Sequence, residues 1–280
     1  MIRFADQATK QEKMTILDRI LAHKRAEVAQ SMQRVPLEQL QAHIATTPWK
    51  ARDFYGRLMT PDGPGGVNII AEIKRASPSR GEICVDLRAG TCAAAYEAGG
   101  AAAISVLTDS AYFKGSLADL RKARRAVALP VLRKEFIISA YQVYESRVAG
   151  SDALLLIARI LEPGQLRDLL GLTHELGMAA LVEIHNREDY AAAHQAGAKL
   201  IAINNRDLAT FDTEIDTAMS LANLLQPEQV PVAASGIGGR EDIERNLAKG
   251  IFTFLIGESI VRSRDRAAML KHLIHGTPEN

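Results

Sequence analysis

Ile69-Ile70-Ala71-Glu72-Ile73-Lys74-Arg75-Ala76-Ser77-Pro78 sets two opposite charges inside an apolar run, with Glu72 and Lys74 two residues apart. On a β-strand that spacing sends both side chains to one face, so a carboxylate and an ammonium leave toward the same space. Burial of such a pair is expensive unless the charges are compensated, which marks it as functional. Two further apolar runs end the same way: Val131-Leu132-Arg133-Lys134-Glu135-Phe136 and Ala180-Leu181-Val182-Glu183-Ile184-His185, with Lys134 and Glu183 in the comparable place. Working outward, the strand candidates are 67–74, 102–107, 130–135, 153–158, 179–184, 200–204, 230–234 and 252–256. Helical stretches separate them, several closed by Gly99, Gly150, Gly177, Gly197 or Gly250. Near-continuous apolar strands imply that both faces are covered. Eight such units in succession favour an α/β fold of the (β/α)8 TIM-barrel type over an open doubly wound sheet.

The remaining sequence fits one barrel with an appendage. Residues 14–48 precede the first strand and carry helical periodicity through Ile16, Leu17, Ile20 and Leu21, then Leu37, Leu40 and Ile44, so they are expected to form an N-terminal helical cap. Residues 1–13 are polar and patternless and are expected to be disordered, with 49–280 forming the barrel and the whole a single domain. The 280 residues carry a net charge of +1 spread along the chain, which gives no footprint for nucleic acid or an anionic membrane. No run approaches the roughly 20 apolar residues of a membrane span. The two cysteines, Cys84 and Cys92, read as free thiols in a reducing compartment, and a cytoplasmic location is expected. No Cys/His cluster has the spacing of a zinc site.

Barrel chemistry sits at the C-terminal ends of the strands, where Glu72, Lys74, Lys134, Glu183, Asn204 and Ser235 all fall. Lys134 is flanked at period two by Leu132 and Phe136, so its ammonium is expected to have a lowered pKa and to serve as an acid. Ala234-Ser235-Gly236-Ile237-Gly238-Gly239 follows the seventh strand and opens a helix, and Leu255-Ile256-Gly257-Glu258-Ser259 follows the eighth. Glycines there let backbone N–H groups face phosphate oxygens, so a phosphorylated small molecule is the expected ligand. No dinucleotide or nucleoside-triphosphate loop pattern occurs.

These segments, with Ile104-Ser105-Val106-Leu107-Thr108-Asp109, Phe113-Lys114-Gly115-Ser116 and Ile203-Asn204-Asn205-Arg206-Asp207-Leu208, together resemble the indole-3-glycerol phosphate synthase family of tryptophan biosynthesis. The matches lie on seven strands, in order, across nearly the whole chain. Glu135 stands where the family usually has Asp, and Cys84-Val85-Asp86-Leu87-Arg88 is atypical for the first loop. The resemblance implies ring closure of a carboxyphenylamino-deoxyribulose phosphate with loss of carbon dioxide and water. It assigns Lys134 as general acid and Glu183 as general base. Lys74 supports the anionic end of the substrate, Glu72 orients both lysines, and Asn204 binds the reacting region. Ser77, Pro78, Arg206 and Ser235 are expected to touch substrate. Phe113, Phe136, Leu155 and Leu208 form an apolar slot for the ring. The phosphate is expected on Lys74, Ser235, Gly236, Gly257 and Glu258. No metal or organic cofactor is implied, because the aromatic amine supplies the electrons. A monomer is expected, with other enzymes of the tryptophan pathway as candidate partners. The Lys24-Arg25 region is expected to help close the mouth over the anionic substrate. The alternatives are another phosphosugar barrel, such as phosphoribosylanthranilate isomerase, or a non-catalytic barrel that binds a phosphorylated metabolite.

Overall fold

The computed structural model describes residues 14–61, 66–205 and 220–276. Its strands are β1 Asn68–Ile73, β2 Ala76–Ser77, β3 Gly81–Glu82, β4 Ala103–Leu107, β5 Val131–Lys134, β6 Ala153–Ile157, β7 Ala179–Ile184, β8 Leu200–Asn204, β9 Val230–Ala234 and β10 Thr253–Ile256. All but β2 and β3 form a closed parallel barrel, in which β1 pairs with both β4 and β10. The eight expected strands are all present, each within two residues of the expected bounds. Two features lay outside the expectation. A short antiparallel hairpin, β2 with β3, follows β1 and holds Ser77 against Gly81. A helix at Phe54–Met59 is capped by Asp53, whose side chain accepts from the Gly56 N–H.

Helices in chain order are α1 Ile16–Arg34, α2 Leu37–Thr46, α3 Phe54–Met59, α4 Ala89–Ala98, α5 Leu117–Ala126, α6 Ala140–Ala149, α7 Pro163–Glu175 and α8 Arg187–Gln195, then α9 Arg240–Leu247, α10 Glu258–Arg262 and α11 Arg266–His275. The left-handed glycine after α4 is Gly100, not Gly99. Side chains alternate across each strand, so apolar residues fill two layers. Ile69, Ile104, Leu154, Val182 and Ile201 pack outward beneath the helices, while Ile70, Leu132, Leu155, Leu181 and Val232 fill the interior. Phe54 and Leu58 of α3 belong to the interior layer, and Asn68 Nδ2 donates to Leu58 O at the start of β1. The N-terminal end of the barrel is therefore plugged, and its open end is the one where the strands terminate.

The N-terminal extension packs at that open end and against α6. Ile20 joins the interior cluster that contains Phe136, and Tyr141 of α6 donates its hydroxyl to Ser31 O and Val35 O, 3.0 Å each. Lys24 is 1% exposed and bridges Glu27, Asp109 and Glu135 at 2.9, 2.9 and 3.0 Å. This corrects the expectation that it would reach over the substrate: its charge is consumed inside the structure. Glu135 turns toward Lys24, where it also accepts from Thr108 Oγ1 and the Phe136 N–H.

Candidate active site

The strand ends converge on one cavity of about 410 Å³ at the open mouth. Register explains the convergence. In neighbouring strands Leu107 lies beside Lys134, Ile157 beside Glu183, and Asn204 beside Ala234, so one ring of residues faces the axis from six strands. Glu72, Lys74, Ser77, Pro78, Phe113, Lys134, Phe136, Leu155, Glu183, Asn204, Ser235, Gly236, Gly257 and Glu258 all line this cavity. The remaining two expected residues, Arg206 and Leu208, lie outside the described residues.

The charges are paired across the mouth. Lys74 Nζ meets Glu72 Oε1 at 2.7 Å, and Lys134 Nζ donates to Glu183 Oε2 at 3.1 Å. Asn204 Nδ2 donates to Glu183 Oε1 at 3.1 Å. Glu72 and Glu183 are each 2% exposed, whereas the lysines keep part of their surface open to the cavity. Burial by itself would raise the Glu183 pKa, but Lys134, His185 and the Asn204 hydrogen bond outweigh it and hold the carboxyl below its ordinary value. Burial likewise pulls Lys134 down, and the facing carboxylates of Glu183 and Glu72 more than reverse it, so its pKa is raised. The lowered pKa expected from the apolar flanks is therefore corrected. Lys134 is a fully charged ammonium at neutral pH, poised beside an ionised carboxylate.

The opposite walls differ in character. Phe113 and Phe136 stand 6.1 Å apart, centroid to centroid, with rings tilted by 42°, and with Leu155 they make an apolar side to the cavity. On the other side, Ser235 and Gly236 are successive left-handed residues, φ 65° and 77°. For serine this conformation is strained, a cost that clusters at functional turns. Asp242 accepts from Gly238 N and Gly239 N, so the turn is held from behind while Ser235 to Ile237 face the cavity. Gly257 is required: a Cβ there would meet Glu72 Oε1 at 2.7 Å.

Arg80, Ser259 and Arg262, none of them among the expected site residues, also line the cavity. Glu258 Oε1 lies 3.5 Å from Arg80 Nε and 3.3 Å from Arg262 Nε, so two guanidinium groups flank the turn after β10. The i, i+4 spacing of Glu258 and Arg262 was a readable signal for one of them. Ser259 Oγ is buried with no hydrogen-bond partner among the described residues. No group of three or more His, Cys, Asp or Glu suited to a metal occurs among the described residues.

Residues 17–273 match the family described as Indole-3-glycerol phosphate synthase. The chain belongs to the indole-3-glycerol phosphate synthase family. Among curated relatives, the indole-3-glycerol phosphate synthase of Desulfosudis oleivorans is 58% identical over 92% of this chain and 98% of its own length. That of Syntrophobacter fumaroxidans is 49% identical, over 92% and 96%. The activity of the chain is accordingly that of an indole-3-glycerol phosphate synthase, a carboxy-lyase of tryptophan biosynthesis. Solved structures of other barrels share the architecture alone. The N-acetylmannosamine-6-phosphate 2-epimerase of Clostridium perfringens superposes with a TM-score of 0.58 at 15% identity, covering 77% of this chain and 95% of its own. The thiamine phosphate pyrophosphorylase of Pyrococcus furiosus gives 0.57 at 11% identity, over 78% and 95%. Among the described residues, no helix of this indole-3-glycerol phosphate synthase family member is long and apolar enough to cross a membrane.

Proposed function

We propose that Lys134 and Glu183 are the acid and base of this synthase, with Lys74 and Glu72 as the second charged pair. The reaction closes the pyrrole ring of 1-(2-carboxyphenylamino)-1-deoxyribulose 5-phosphate and releases carbon dioxide and water. Its proton account fixes what the site must hold. The ketone oxygen takes one proton as the ring carbon attacks, and the resulting hydroxyl takes a second as it departs as water. One proton leaves the methylene carbon beside nitrogen, so the cycle consumes one proton net. Two donors and one acceptor are needed, and Lys134, Lys74 and Glu183 supply that set. The ammonium of Lys134 also meets the negative charge that develops on the ketone oxygen. Its contact with Glu183 gives the abstracted proton a return path to the lysine that spent one.

The apolar wall of Phe113, Phe136 and Leu155 is suited to the anthranilate ring, and a carboxylate placed there sheds solvation before it leaves as carbon dioxide. The phosphate is assigned to the backbone of Ser235, Gly236, Gly257 and Glu258, with Lys74 at hand and with Arg80 and Arg262 adding charge. Glu72 orients Lys74, and Asn204 holds Glu183. The observation that carries the reading is the 3.1 Å contact between Lys134 and Glu183 inside the cavity. The test is turnover of the carboxyphenylamino substrate, followed by indole fluorescence, in wild type and Lys134→Met. Loss of a contact made mainly in the transition state lowers kcat and spares the substrate Kd. A variant that keeps more than about a tenth of wild-type kcat refutes the assignment, because general acids contribute about 100-fold or more.

A further inference from the structure

His185 follows Glu183 by two residues and shares its strand face, yet the proton account above does not use it. Its side chain is 3% exposed, and among the described residues neither ring nitrogen has a hydrogen-bond partner. The ring lies between two carboxylates: Nε2 is 3.5 Å from Glu183 Oε1, and Nδ1 is 3.5 Å from Asp189 Oδ2. Asp189 is itself fixed. It accepts the His185 N–H at 2.8 Å, its own N–H is capped by Asn186 Oδ1 at 2.8 Å, and Arg159 Nε stands 3.5 Å away. A carboxylate only accepts, so the imidazole meets Glu183 Oε1 only as a donor through Nε2–H, and a neutral ring, with its single N–H, serves one of the two carboxylates.

We propose that His185 is a positioning residue for Glu183: with Asn204 it pins Oε1, so that Oε2, beside Lys134, is the oxygen presented to the substrate. The proposal rests on the reading of Glu183 as the base. The two oxygens already have separate company, Asn204 and His185 on Oε1 and Lys134 on Oε2. A carboxylate held only by Lys134 can rotate about its last bond, and misplacement of a reacting group by about 1 Å costs on the order of 100-fold in rate. The arrangement of base, orienting imidazole and anchored carboxylate repeats the logic of a base oriented by a third group. The 3.5 Å contact is long for a hydrogen bond in the free protein, and such contacts tighten when substrate is bound.

The test separates the steps. In His185→Leu, indole formation falls about ten-fold or more while carbon dioxide release in rapid quench changes less than about two-fold, because the base serves dehydration alone. KM stays within about two-fold, since no phosphate or ring contact is lost. His185→Gln, which keeps a side-chain donor, recovers most of the rate. In a Glu183→Gln background the His185→Leu change adds no further loss, the non-additivity of groups that act as a unit. Parallel loss of carbon dioxide and indole in His185→Leu, or full additivity with Glu183→Gln, overturns the proposal. Parallel loss of both signals in Glu183→Gln alone overturns the base assignment instead, so the two failures are distinguishable.

Discussion

Replacement of Lys24 by Met tests how the N-terminal helix is tied to the catalytic face. The ammonium is 1% exposed and neutralises Asp109, 0% exposed, and Glu135, 3% exposed, at 2.9 and 3.0 Å. Removing one partner of a buried pair leaves an uncompensated charge and costs about 3–5 kcal/mol. At about 2–4 °C per kcal/mol for a domain of this size, the lower end of that range lowers Tm by about 6–12 °C. The two carboxylates lead straight to the site. Asp109 Oδ1 accepts from the Tyr112 and Phe113 N–H groups, so it shapes the loop that carries one aromatic wall. Glu135 adjoins Lys134 and accepts from the Phe136 N–H. Loss of Lys24 therefore also lowers kcat. Burial alone would lower the Lys24 pKa, but Glu135, Asp109 and Glu27 outweigh it and the pKa is raised. A raised lysine pKa contributes stability that is fully present below the unfolded value, about 10.4, and is lost only as pH climbs through the folded value. The Tm difference is accordingly constant from neutral pH to about pH 9. Circular-dichroism melts at several pH values, with steady-state kinetics, measure both effects. In the double variant Lys24→Met with Asp109→Asn the loss is smaller than the sum of the single losses. A fall in Tm of under about 2 °C for Lys24→Met would refute the reasoning.

Three other outcomes are expected. Glu183→Gln keeps the shape of the carboxylate but not its basicity, so rapid quench shows carbon dioxide release with accumulation of an intermediate that retains the hydroxyl. Gly257→Ala places a methyl 2.7 Å from Glu72 Oε1 and 3.1 Å from its Cβ, which displaces Glu72 from Lys74; kcat falls about ten-fold or more with an intact fold, read by kinetics beside a melt. Wild-type kcat is flat between about pH 7 and 9, because Glu183, its pKa lowered, stays ionised down to below the usual carboxylate value of about 4.3, and Lys134, its pKa raised, stays charged past about 10.4; a pH–rate profile that bends inside this window assigns the chemistry to other groups.

What could be read from the sequence was whatever one strand or one turn carries by itself. Glu72 and Lys74 declare their shared face by a spacing of two, and the observed 2.7 Å contact follows from it. The turns after the last two strands announce themselves by glycine, and Gly257 does stand where a side chain would strike Glu72. Where the determining neighbour is distant in the chain, local reading failed. Lys134 looked apolar in its setting because Leu132 and Phe136 flank it, yet its protonation is governed by Glu183, 49 positions away, and by Glu72 on another strand. Lys24 reads as part of a basic region that closes over the anionic substrate, and nothing within α1 reveals that its charge is matched by Asp109 and Glu135. The plug Phe54–Met59 is too short to show helical periodicity, so only its interior contacts identify it. The N-terminal extension thereby changes meaning. Its Lys24 charge is taken up by Glu27, Asp109 and Glu135. The extension carries a buried cation that lets two carboxylates sit behind Phe113 and Lys134, and it supports the catalytic face from the open end of the barrel, where Ile20 packs with Phe136.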